Sequence, residues 1–165
     1  MLSIFARYIK LTTSCPFLGM SRELRQDAVS IFNAGIDAVL PHQMVRNALC
    51  VNGNKLYVDN TTYTLNHNVN IVAFGKAVIG MVSAVDSILN DHIVGGVASV
   101  PLGITKDLIH ANKRELLPRK ESKIKIIEGG ENNLPDDNSF QAANEINDIA
   151  CNLKEDDLLV VLISG

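Results

Sequence analysis

The chain has 165 residues, 47% of them apolar, a net charge of −3 and three cysteines. This size predicts one domain with a core rather than two complete domains. The negative net charge and the lack of any basic run interleaved with aromatic residues argue against a nucleic-acid-binding face. No apolar run approaches the ~20 residues that a membrane span needs. An odd number of cysteines without metal-ligand spacing favours a reducing compartment, and we expect a cytoplasmic protein.

Residues 1–20 form a segment of distinct composition. They contain Arg7, Lys10, four serine or threonine residues and no acidic residue. This composition is typical of a weak transit peptide for mitochondrial import, or of a loose N-terminal extension. The domain itself is expected over residues 21–165.

The first predicted elements are a helix and a small β structure. Apolar spacing predicts a helix that Ser21 caps and that ends near Leu40, because Pro41 prevents its simple continuation. Between residues 48 and 65 the pattern changes to short β-prone pieces separated by Asn-Gly-Asn and Asp-Asn turn signals. We interpret these pieces as a meander or hairpin at the edge of the domain.

Strands and helices alternate from Val69 onward. Short apolar runs predict four strands, over Val69–Phe74, Ile93–Val100, Lys123–Ile127 and Leu158–Ile163. A 3.6-residue apolar spacing predicts three helices, over Lys76–Leu89, Lys106–Glu115 and Asp137–Asn152. The predicted fold class is α/β: a three-layer, Rossmann-like, mostly parallel sheet with an N-terminal helix and the meander at its edge. We expect this sheet to be incomplete at the C-terminus, where the last strand reaches a glycine and no helix follows.

Ligands bind at the carboxyl ends of strands in such sheets, which directs attention to four segments. These segments are Gly75-Lys76, Ser99–Gly103, Gly129–Asp136 and Ser164-Gly165. Lys76 follows a strand and a glycine at a predicted helix start, so it is either an anion-binding cation or an ordinary solvated lysine.

Two standard phosphate-binding motifs do not fit around Lys76. A P-loop would need a glycine where Asn70 stands and a serine or threonine where Ala77 stands. A dinucleotide fingerprint lacks its spacing, because only Gly75 and Gly80 are present. Any anion site here must therefore be built differently.

Two further segments contain candidate ligand-binding residues. The loop Glu128–Asp136, with Asn133 and Asp136, could coordinate Mg²⁺ or orient a small hydroxy acid, or it could be a polar loop and helix cap. Ser164 and Gly165 could bind phosphate through backbone N–H groups if more glycines followed them.

Five segments in fixed order carry a family resemblance. They read AVLP over residues 38–41, VAFGKAVIGM over 72–81, SVPLG over 99–103, EGGENNLPD over 128–136 and DDLLVVLISG over 156–165. Together, from about Arg25 to Gly165, they resemble the N-terminal part of the type-2 glycerate kinases, whose members carry a second domain called MOFRL.

The resemblance implies a Rossmann-like domain joined to a smaller one, with ATP, Mg²⁺ and D-glycerate bound in the cleft between them and 2-phosphoglycerate as the product. It implies that Lys76 is a catalytic residue that contacts phosphate or the glycerate carboxylate. It also implies that Gly75 lets the backbone approach the ligand closely. Ser164 and Gly165 match the start of the family's ISGGGSALL loop, which would line the nucleotide or substrate site. Many relatives have a GHPxPD-like string where this chain reads ENNLPD, so no histidine acts there.

The resemblance covers only part of the family's length. The rest of the first domain and the MOFRL domain are absent, so we expect the chain alone to be inactive. The alternative is a short, non-catalytic isoform that acts as a nucleotide-binding or interaction module. In either case the expected partners are D-glycerate and ATP, with no nucleic acid and no membrane, and the uncovered last strand is expected to promote aggregation.

Overall fold

The structure, a computed structural model, describes residues 22–164. The chain divides into two compact units between Ile36 and Asp37. The first helix, α1, spans Arg22–Ala38, so it ends two residues before the predicted Leu40. The expected Ser21 cap and the interpretation of residues 1–20 lie outside the described residues.

A second helix, α2, spans Pro41–Ala48, a stretch for which the sequence predicted no element. Proline is tolerated in the first turn of a helix, because the N–H that it lacks would have no intrahelical partner there. Pro41 therefore begins a new helix. Val45 is the buried residue of α2 and belongs to the main hydrophobic core, where α2 packs against the helix over Val78–Leu89.

The predicted meander is confirmed. Strands β1 (Leu49–Asn52), β2 (Lys55–Val58) and β3 (Thr61–Thr64) form an antiparallel sheet in the order β1-β2-β3. Leu56 and Leu65 are buried in the main core, so the meander packs on the domain rather than extending from it.

The central sheet is parallel, as predicted. Among the described residues its four strands are β4 (Val69–Gly75), β5 (Ile93–Pro101), β6 (Ile124–Gly129) and β7 (Leu158–Ser164). They are arranged in the order β6-β5-β4-β7. The chain thus adds two strands on one side of β4 and then crosses to its other side for β7, the 3-2-1-4 order of a doubly wound sheet. The point where the order reverses lies between β4 and β7.

Helices cover both faces of this sheet and complete the three layers. They are α3 (Val78–Leu89), α4 (Ile104–His110) and α5 (Asp137–Cys151). Alternate residues of β5 serve the two faces: Ala98 belongs to the core with α3, and Val97 packs with Ala142 of α5. The predicted helix over 106–115 is two pieces, α4 and a 3₁₀ turn at Arg114–Leu116.

Strand β7 has exposed apolar side chains on one of its faces. Val161 and Ile163 are 48% and 60% exposed, whereas Leu162 between them is buried. An apolar groove of about 370 Å³ lies between β7 and the meander. Within residues 22–164, no helix has the length and apolar character that crossing a bilayer requires.

Candidate functional site

Lys76 lies in a turn rather than in a helix. Strand β4 ends at Gly75 and α3 begins at Val78, two residues later than predicted. Gly75 has φ +126°, and Ala77 has φ −116° and ψ 11°, neither of which is helical. Lys76 therefore precedes the positive end of α3 and avoids the first turn, where a cation is disfavoured.

This turn lies directly against the end of β7. Gly75 pairs with Ser164 in the parallel ladder, and the Ala77 N–H donates to Ser164 Oγ at 2.8 Å. A Cβ on Gly75 would overlap the Ser164 carbonyl oxygen and lie 2.7 Å from its hydroxyl. The sheet thus brings together Gly75, Lys76 and Ser164, three of the residues predicted for the site, at the switch point. Gly165 lies outside the described residues.

A cavity of about 280 Å³ opens beside Lys76 at the carboxyl ends of the strands. It is lined by Gly75, Lys76, Ser99, Val100, Pro101, Gly129, Gly130, Leu134, Pro135 and Ser139. Three of the four predicted strand-exit segments contribute to this lining. Its volume is just below the ~300–1,000 Å³ of common ligand pockets, which suits a small acid or the phosphate end of a nucleotide.

Among the described residues that line the cavity, Lys76 is the one with an ionisable side chain. Its side chain is exposed, and the ion pairs found within residues 22–164 are Asp86–Arg119 and Lys125–Glu145. No described carboxylate therefore neutralises the Lys76 ammonium by direct pairing, so its charge is available to an anion.

Glu128 fixes the far side of the cavity. Its carboxylate accepts the Gly103 N–H at 2.8 Å and the Thr105 N–H at 2.9 Å, which ties the end of β6 to the turn after β5. Burial raises the pKa of Glu128, but hydrogen bonds from Thr105 and Gly103 outweigh it, so the net pKa is lowered. The charged carboxylate thus holds the turn that follows Pro101.

The loop before α5 forms a helix cap. Asp136 Oδ1 accepts the Ser139 N–H at 2.8 Å and the Ser139 hydroxyl at 2.7 Å, and these bonds lower the pKa of Asp136. Asn133 ends a 3₁₀ turn that starts at Glu131. Among the described residues that line the cavity Asp136 does not appear, and its carboxylate serves as the cap of α5.

Metal ligands are not clustered in the part of the chain that the structure describes. No group of three or more histidine, cysteine, aspartate or glutamate residues within residues 22–164 could hold an ion.

Sequence reasoning missed Ser139 and the anchoring role of Glu128, which it named only as part of a candidate ligand-binding loop. Ser139 lines the cavity from the first turn of α5, and Glu128 anchors its wall. The Asp136-x-x-Ser139 spacing signals a helix start but not a cavity. Nothing in the local sequence signals the hydrogen bonds that Glu128 accepts, because their donors lie 25 and 23 residues away.

Comparison with known proteins identifies the family of the chain. Residues 27–165 match the family described as "Domain of unknown function (DUF4147)". The chain is 42% identical over 142 residues to a glycerate kinase of Danio rerio, which covers 86% of the chain and 28% of that relative. It is 29% identical over 146 residues to a glycerate 2-kinase of Pyrococcus horikoshii, covering 88% of the chain and 30% of the relative.

A solved structure has the same fold. The crystal structure of the PH0495 protein from Pyrococcus horikoshii OT3 superposes with a TM-score of 0.69 at 28% identity, over 86% of this chain and 29% of that one. The chain therefore belongs to the DUF4147 family, among relatives that are glycerate kinases. It spans less than a third of the length of the relatives described here.

Proposed function

We propose that this chain forms the Lys76-bearing part of a glycerate kinase active site, in which the γ-phosphoryl group of ATP is transferred to D-glycerate to give 2-phosphoglycerate. The observation that carries the proposal is the position of Lys76, an unneutralised cation at the switch point of the sheet beside a small cavity. The names of the relatives support the same chemistry.

Lys76 would stabilise the negative charge of the phosphoryl group during its transfer. Phosphoryl transfer depends on positioning and on stabilising the negative charge of the transferred group, and a lysine ammonium serves this purpose. Gly75 has no side chain that would keep an anion away from the turn. Helices α3 and α5 both begin at this edge of the sheet, so their N-terminal N–H groups are available to an anion there. Ser164 and Gly165 would line the nucleotide or substrate site beside them.

The residues present fit part of a nucleotide. The cavity of about 280 Å³ accommodates a phosphate end or a glycerate molecule, but not a complete ATP. Mg²⁺ would accompany the phosphates, because this ion commonly keeps several waters and binds through substrate oxygens and one or two carboxylates. Bound with the nucleotide, Mg²⁺ would supply positive charge that offsets part of the charge on the phosphates.

We further propose that the 165-residue chain alone does not turn over substrate. Phosphoryl transfer needs a closed site with charge compensation from several sides, and this chain spans 28% of its zebrafish relative. An assay with ATP, Mg²⁺ and D-glycerate should give no product above background. Turnover near that of an intact glycerate kinase would refute this, and binding of ATP without turnover would favour the non-catalytic module.

A chimaera tests the role of Lys76 directly. Residues 27–165 replace the matching segment of the zebrafish glycerate kinase, and 2-phosphoglycerate is measured by mass spectrometry. We expect an active chimaera, and a loss of about 100-fold or more in kcat/KM on Lys76→Met. The matched control is Lys123→Met, an exposed lysine just before β6 at the opposite end of the strands, which should retain activity.

The outcomes separate the possibilities. An active chimaera that is unaffected by Lys76→Met would overturn the assigned role of Lys76. A folded chimaera without any kinase activity would count against the proposed function itself. Formation of 3-phosphoglycerate would support glycerate kinase activity but show that the phosphoryl group is transferred to the other hydroxyl of D-glycerate.

For location we propose the cytoplasm. The cysteine usage supports a reducing compartment, and the weakly basic N-terminal composition makes mitochondria the competing site. Fluorescence microscopy of the chain with a C-terminal tag would distinguish the two, since import would concentrate the signal in mitochondria.

A further inference from the structure

The turn that carries Lys76 is held from outside its own segment. Ala77 precedes the first residue of α3 and has no side chain that could cap the helix. Its N–H donates instead to Ser164 Oγ at 2.8 Å, across 87 residues of sequence. A hydroxyl on β7 thus takes the place of a local capping group.

A second contact joins the same two segments. Gly75 lies so close to Ser164 that any side chain on Gly75 would overlap the Ser164 carbonyl oxygen. The backbone ladder also pairs these two residues, at the end of the β4–β7 register. Both neighbours of Lys76 in sequence therefore contact Ser164.

We propose that Ser164 is a positioning residue whose hydroxyl holds the Gly75–Ala77 turn and thereby directs Lys76 toward its anion. The lysine side chain is exposed and makes no ion pair with a described carboxylate, so the backbone of the turn determines where its stem begins. Without the Ser164 hydroxyl, the Ala77 N–H loses its partner and Lys76 samples more directions. The effect on the turn is independent of the proposed kinase function, whereas the effect on anion binding rests on it.

The test uses the 165-residue chain and three variants of Ser164. Ser164→Ala removes the hydroxyl, Ser164→Cys keeps the side-chain volume but has only a weak acceptor, and Ser164→Thr keeps the hydroxyl. The matched control is Ser87→Ala, which removes a hydroxyl that bonds to the Ser83 carbonyl at 2.9 Å within α3.

The first readout is the turn itself. We expect hydrogen exchange of the Ala77 amide to be about five-fold faster in Ser164→Ala and Ser164→Cys, the effect of one neutral hydrogen bond. The threonine variant and the Ser87→Ala control should match the unmodified chain. Unchanged exchange in both the alanine and the cysteine variants would overturn the proposal.

The second readout is anion binding, with inorganic tripolyphosphate as the probe in calorimetric titration. Ser164→Ala should raise Kd about five-fold, Ser164→Thr should restore it, and Ser164→Ala should have no further effect in a Lys76→Met background. An equal effect of Ser164→Ala with and without Lys76 would show that the hydroxyl does not act through the lysine, which overturns the proposal. If the unmodified chain binds no tripolyphosphate while Ala77 exchange responds as expected, the positioning of the turn stands and the phosphate site of the proposed function fails.

Discussion

Asp86, which is buried, and Arg119, which is partly exposed, form an ion pair that joins α3 to the segment before β6. The Asp86 carboxylate is completely buried and accepts the Arg119 backbone N–H at 2.9 Å, the guanidinium Nε at 3.0 Å and Nη2 at 3.2 Å. Ser122 Oγ donates to the same carboxylate at 2.8 Å, and Arg119 also donates to Asn90 Oδ1. This cluster connects the C-terminal part of α3 to the segment that leads into β6.

Removing the arginine should be costly to stability. Arg119→Met leaves a buried carboxylate with only the backbone N–H and the Ser122 hydroxyl, and we expect the free energy of unfolding to fall by about 3 kcal/mol. Urea unfolding followed by circular dichroism measures this. The control is Lys125→Met, which breaks the more exposed Lys125–Glu145 pair and should lower the free energy of unfolding far less, because solvent screens an exposed pair. Equal losses in the two variants would contradict the assignment.

Acid should weaken the same cluster. Burial raises the pKa of Asp86, but hydrogen bonds from Arg119 and Ser122 outweigh burial and bring it below its ordinary value of 3.8. A carboxyl whose folded pKa is depressed stabilises fully above its unfolded pKa, and this stabilisation is lost as pH falls through the folded pKa.

Measured from pH 6 downward, the free energy of unfolding should therefore be nearly constant at first and then fall below about pH 4. Asp86→Asn should start from a lower stability and show a shallower acid-dependent loss. A parallel pH dependence in both proteins would assign the acid sensitivity to other carboxyls, of which Glu128 is the first to examine because its pKa is also lowered.

Gly75 should tolerate no side chain. Its φ of +126° disfavours other residues, and an added Cβ would overlap the Ser164 carbonyl oxygen. We expect Gly75→Ala to cost about 3 kcal/mol or more, from backbone strain together with displacement of the end of β7. Gly53→Ala is the comparison, since Gly53 also has a positive φ, +55°, but has nothing within 4 Å of an added Cβ. Thermal unfolding should show a much smaller loss there, near 1 kcal/mol.

The exposed face of β7 should control aggregation. Val161 is 48% exposed and lines the apolar groove beside the meander, and a lysine on an edge strand opposes pairing with another chain. Val161→Lys should reduce light scattering of the concentrated chain without changing its circular dichroism. Leu162→Lys places the same charge on the buried face and should unfold the protein. Unchanged light scattering in folded Val161→Lys would show that a surface other than this face of β7 causes the aggregation.

Much of the architecture could be predicted because its signals are local. The apolar run before Gly75 and the 3.6-residue spacing after it identify β4 and α3, and alternation of such units implies a parallel sheet. The strand-exit rule then selects most of the residues that line the cavity. The predicted start of α3 at Lys76 was wrong because a contact with β7 determines the geometry of the turn, and this contact is not encoded nearby.

Long-range pairing explains the other differences. Asp86 lies in a helix rich in apolar residues, and its partner Arg119 follows 33 residues later without any recognisable motif. Pro41 signals an interruption, but whether a new helix starts there depends on the packing of Val45 in the core. These features follow from tertiary contacts, which override local propensity.

The central position of β4 means that its two neighbours in the sheet are made at very different times. Synthesis proceeds from the N-terminus, so β5 follows soon after β4, whereas β7, on the other side of β4, is made last of the four strands. Ser164 is made 87 residues after Ala77, and until then the Ala77 N–H lacks its acceptor. The turn that carries Lys76 is therefore synthesised early, but its hydrogen bond to Ser164 can form only after the end of β7 has been made.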